Sequence, residues 1–111
     1  MNVLKLYFAI LAGGFAGSTL ACDYPRLVAV PDGANSTIEQ MVAAQESVRT
    51  YMEGMDTYLT CVNGELDAAG DDAPEEFKAI MVSRHNAAVA EMEAVAASFN
   101  DQIAAFREAN P

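Results

Sequence analysis

From Ile38 onward the apolar residues recur in steps that alternate three and four: Ile38, Met41, Gln45, Val48, Met52, Met55, Leu59, Val62, Leu66. Gln45 is the one polar member. A helix turns about 100° per residue, so this run keeps a narrow stripe on one side through successive heptads. A strand has no use for that spacing, because its side chains alternate every second residue. The stripe therefore specifies a long helix lying along another helix, and an all-α chain.

The boundaries follow from local chemistry. Ser36-Thr37-Ile38-Glu39 has the order of a capping box, a hydroxyl for an orphan amide and a carboxylate three residues on. The first helix is expected over about 36–66, weakening at Asn63-Gly64 or ending by Ala68. Asp67-Ala68-Ala69-Gly70-Asp71-Asp72 reads as a turn, about 67–72. A second helix is expected over about 73–109, with Asp72 as cap, Pro74 early, and Glu75 and Glu76 in the first turn, where the helix dipole favours acids. Its apolar stripe runs Phe77, Ile80, Met81, Ala88, Met92, Val95, Phe99, Ile103, Phe106. Two helices of about 30 residues, each roughly 45–50 Å long, joined by a short turn, make a coiled-coil-like antiparallel hairpin over 36–110.

The first 21 residues carry a different signal. Lys5 precedes an apolar run from Leu6 to Ala16, and Thr19 and Ala21 place small residues at −3 and −1 of a cleavage site. The run is about half of the ~20 residues a spanning helix needs. Residues 1–21 are expected to be a signal peptide, which puts the rest in the periplasm or outside the cell. An uncleaved anchor, or lipidation of Cys22, would be the membrane-bound alternative. For lipidation the leucine stands one place out of register, at Leu20.

Export makes Cys22 and Cys61 a natural disulfide pair, against two free thiols or a lipidated Cys22. Residues 22–35 hold Pro25, Pro31 and Gly33 and read as an extended, polyproline-like arm ending in a turn. From Ser36 to Cys61 a helix covers about 38 Å, and an extended arm from Ser36 to Cys22 covers about 43 Å. The arm can thus run back along the first helix, pinned at Cys61, with Tyr24, Leu27, Val28 and Val30 forming a third layer. That is still a thin core, so a homodimeric four-helix bundle is as reasonable as a monomer.

Acidic residues number 16 against 6 basic ones, a formal net charge of −10. With no basic cluster, nucleic acid and anionic lipid headgroups are poor partners. Two cysteines and one histidine leave no room for a multi-cysteine metal framework or an iron–sulfur cluster. The one histidine, His85, lies one turn from Met81 and Ala88. It could ligate haem or copper together with Met81, Met52 or Met55, but both Met52 and Met55 sit on the stripe, where thioethers fill core. Carboxylates are scattered, with no Glu-x-x-His pair for a di-iron bundle and no calcium-loop spacing at Asp67, Asp71 and Asp72. No nucleophile has a supporting constellation, so no catalytic residue and no cofactor are expected. Tyr51 and Tyr58, seven apart, could line a contact surface with Asn63, Arg84 and Asn86, or could pack the arm against the first helix.

The layout of one cysteine, a Pro-rich arm ending in Pro31-Asp32-Gly33, Tyr51-Met52, Met55-Asp56-Thr57-Tyr58-Leu59-Thr60-Cys61, Glu91-Met92-Glu93 and Phe99-Asn100-Asp101-Gln102-Ile103 resembles a group of small exported helical proteins of Gram-negative bacteria. The resemblance implies a compartment and no activity. The function expected from the residues is non-catalytic, in protein–protein interaction, self-association or envelope structure. The alternatives are an envelope binder of metal, haem or a small ligand through His85 and methionines, and an acid-stress chaperone whose carboxylates drive a charge change as pH falls.

Overall fold

The computed structural model describes residues 22–111, and the signal-peptide reading of residues 1–21 lies outside the described residues. Two long helices form the expected hairpin: α1, Ile38–Ala69, and α2, Glu75–Ala109. No strand occurs among the described residues. Cys22 and Cys61 are joined, with Cα atoms 5.5 Å apart.

The ends of the helices differ from the sequence expectation, for local reasons. The cap of α1 is Thr37 and its answering residue is Gln40: the Gln40 amide donates to Thr37 Oγ1 at 3.2 Å, and the Thr37 amide to Gln40 Oε1 at 2.8 Å. Ser36 serves the preceding turn instead: its hydroxyl donates to the Asp32 carbonyl at 2.6 Å, which turns the side chain toward the 3-10 turn Gly33–Asn35 and leaves the cap position to Thr37. The asparagine and glycine at 63–64 do not stop α1, which continues to Gly70. There φ is +73° and ψ −178°, a positive-φ extended conformation that glycine adopts without strain. At the start of α2 the cap is Pro74, not Asp72, and no side chain bonds the free amides. Lys78 steadies this turn instead, donating from Nζ to the Asp71 carbonyl at 2.9 Å.

The most deeply buried line of α1 is Met41, Ala44, Val48, Tyr51, Met55, Tyr58, Val62. It shares every seventh residue with the stripe read from sequence. Between those, Ala44, Tyr51 and Tyr58 replace Gln45, Met52 and Leu59, which are exposed or half-buried. The cause is the arm. It lies on the side of α1 that carries Tyr51 and Tyr58, so burial is centred between α2 and the arm. Ile38 stays 55% exposed at the open end of the hairpin, and Ile80 is 51% exposed although the stripe of α2 includes it. In α2 the buried line is Met81, Ala88, Val95 and Phe99.

The arm runs back along α1 as the reach argument requires. Beyond the disulfide, the Tyr24 ring stands edge-on to Tyr58, with centroids 4.8 Å apart. Pro25 lies against Gly54, where an added Cβ would meet the proline ring at 3.2 Å. Val28 and Val30 pack on the core, whereas Leu27 points to solvent, 72% exposed. The arm then crosses to α2. The Gly33 amide donates to Gln102 Oε1 at 2.8 Å, and a Cβ on Gly33 would fall 1.9 Å from the Gln102 carbonyl oxygen. Only glycine permits that approach of backbone to backbone.

Candidate functional site

Apart from the exposed Glu46–Arg49–Glu53 ion pairs on α1, the main polar grouping in the described chain is the junction of arm, α1 and α2. Glu91 of α2 accepts from two phenols at once: the Tyr51 hydroxyl of α1 at 2.6 Å and the Tyr24 hydroxyl of the arm. One carboxylate thus joins all three layers. Tyr51 stands here because it lies three residues after Val48, on the arm-facing side of the buried line. Tyr24 stands here because the Cys22–Cys61 bond fixes it two residues along an extended arm.

The electrostatics follow from the geometry. Burial, then the hydrogen bond to Glu91, pushes the Tyr24 phenol up to about 12. The same causes, in the same order, raise Tyr51 further. The two donated bonds, Tyr24 first and then Tyr51, hold the Glu91 carboxyl below the usual carboxylate range. A phenol held protonated and a carboxylate held ionised form a static clamp. Neither is poised to exchange a proton near neutrality.

The residues singled out from sequence do not assemble into one surface. Tyr51 and Tyr58 are buried, 3% and 7% exposed, so they pack the arm and leave no free face. Arg84 is exposed and directs a guanidinium nitrogen to the Met81 sulfur at 3.9 Å. Asn63 and Asn86 are exposed on α1 and α2. Asn86 lines a shallow groove with Lys78, Val82 and Ser83.

The methionine–histidine reading finds Met55 and Met81 fully buried at 0% and 1%, and Met52 and His85 half-buried. The Arg84 cation already occupies the Met81 sulfur, which disfavours a metal ion there. His85 Nδ1 is buried and has no hydrogen-bond partner among the described residues. Among the described residues one trio of candidate ligands lies within 4.8 Å: Cys22, Cys61 and Glu65. Its two sulfurs are bonded to each other and offer no thiolate.

Glu91 escapes sequence reasoning because it is one of many helix carboxylates. Its only signal is retrospective: it falls midway along α2, level with Tyr51 midway along α1. No helix among the described residues is long and apolar enough to cross a membrane. No family model, curated protein or solved structure matches this chain.

Proposed function

We propose that this is an exported, non-catalytic scaffold: a disulfide-pinned helical hairpin that acts through protein–protein contact in the periplasm or outside the cell. The observation that carries this reading is how the chain uses its reactive groups. Both cysteines, two of its tyrosines and the carboxylate that links them are committed to holding the arm on the hairpin. The opposite flank of the hairpin stays apolar and uncovered, with Val42 57% and Val82 49% exposed. The disulfide supports an oxidising compartment.

A photoreactive phenylalanine analogue at Val42, with Leu27 on the arm as the control site, tests the reading in cells that export the protein. A discrete protein adduct at Val42, absent at Leu27, is expected. Equal labelling at both sites would overturn it. Mass measurement of the exported chain, expected to begin at Cys22, tests the compartment.

The Glu91 clamp favours a second reading, an acid-stress chaperone. Protonation of Glu91 weakens the hold of the arm and would uncover Tyr51 and Tyr58. Client binding that rises below pH 4 together with exposure of apolar surface would support it. A fold unchanged at pH 3 would rule it out.

A further inference from the structure

The two flanks of the hairpin are unequal. On α1, residues three and six after Met41, Val48 and Met55 face the arm. Residues one and four after them form the opposite flank, which carries Val42, Met52 and Leu59, with Arg49 and Asp56. The same offsets from Met81, Ala88 and Val95 put Val82, Val89 and Ala96 on the matching flank of α2, together with His85. At its open end this flank forms a groove lined by Ile38, Val42 and Gln45 of α1 and Ile103 and Phe106 of α2.

We propose that this flank is the docking face for a second copy of the chain, and that two hairpins pack there, reversed end to end, as a four-helix bundle with both arms outside. This deepens the reading above by naming the partner, and it rests on that reading.

Two observations select a second copy. The first is charge. The chain carries 16 acids, yet within these offsets the flank holds one carboxylate, Asp56. A net charge of −10 opposes self-association elsewhere, whereas this face has few acids of its own, with Glu46 and Glu53 at its rim paired to Arg49. The second is area. Helices of 32 and 35 residues give a face roughly 50 Å long, and two helices side by side are about 20 Å wide. That provides on the order of 800 Å² or more per copy, the size of a standard specific interface. Polarity sets the direction. Asp67, Asp71, Asp72 and Glu75 crowd the turn, so two copies with their turns together would oppose like charges, and the reversed arrangement separates them.

The test is sedimentation velocity with native mass spectrometry of the disulfide-bonded protein across the micromolar range. The wild type is expected to be a dimer. Val42→Glu and Val82→Glu change residues already half in water, so the helical circular dichroism should stay unchanged while the dissociation constant rises at least tenfold. Leu27→Glu on the arm should leave the dimer intact. A monomeric wild type overturns the assignment, as does a dimer that survives both flank substitutions or one that Leu27→Glu alone disrupts. A monomer that still yields a discrete foreign adduct at Val42 overturns only the second copy. Loss of both results overturns the interaction reading itself.

Discussion

Tyr51→Phe isolates the clamp with the least disturbance, since it removes one oxygen and keeps the buried ring. The lost bond is donated to an ionised carboxylate at 2.6 Å, from a side chain 3% exposed. Such bonds are worth about 1.5–3 kcal/mol. Glu91 is half-buried and retains Tyr24 and water as donors, so the expected loss is about 1–2 kcal/mol. For a domain of this size that is a fall in Tm of roughly 5–15 °C. Tyr24→Phe should cost below ~1 kcal/mol, because Tyr24 is 46% exposed and its hydroxyl can return to water. The pH dependence supplies the sign. The folded-state pKa of Glu91 is depressed from 4.5, so its contribution is full above the unfolded value and is lost as pH falls through the folded value. Urea denaturation of Tyr51→Phe against wild type should therefore show the full deficit at pH 7 and a smaller one near pH 3. A neutral-pH deficit under ~0.3 kcal/mol, or one equal at both pH values, would refute the clamp.

Gly33→Ala should destabilise by about 2–3 kcal/mol or detach the 3-10 turn from α2, since its Cβ would lie 1.9 Å from a backbone oxygen; a chevron or urea midpoint reads this directly. Gly64→Ala should do the reverse and raise stability by about 0.5–1 kcal/mol, because the site is helical, exposed and has nothing within 4 Å of an added Cβ. Cys61→Ser, or reduction, opens a loop with a sequence separation of 39 and should cost up to ~4 kcal/mol on the chain-entropy model. Trypsin should then cut at Arg26, where the intact protein resists, while the helical circular dichroism persists.

The hairpin was legible because one-dimensional periodicity maps directly onto one helix lying along another. The disulfide and the course of the arm were legible because chain reach is arithmetic. The rotation of the buried line was not. Met52 and Leu59 are more apolar than Tyr51 and Tyr58, and a reading based on hydropathy ranks them as core. Burial is decided by what covers a position, and the cover over Tyr51 and Tyr58 is an extended segment with no periodicity of its own. The same logic explains Ser36. A hydroxyl just before a helix is a good cap in isolation, but here the Ser36 side chain is turned to the Asp32 carbonyl of the preceding turn, and Thr37, one residue on, accepts the Gln40 amide.

Glu91 shows where sequence reading runs out, and also why the arm belongs to the fold. A carboxylate on a helix flank ordinarily stays in water, since burying its charge without donors costs several kcal/mol. Here α1 and the arm each bring a phenol, so the half-buried charge gains both protein donors only when all three segments are in place. Remove the arm and Glu91 keeps one donor, while Tyr58 loses the ring that stands against it. The apolar contacts of Val28 and Val30 hold the arm without regard to direction. The disulfide fixes one end, the Gly33 approach fixes the other, and Glu91 sets the register between them. A chain with only the heptad stripe would pair its helices in several neighbouring registers. These three polar and covalent anchors select one, and they leave Val42 and Val82 on the other flank of the hairpin uncovered.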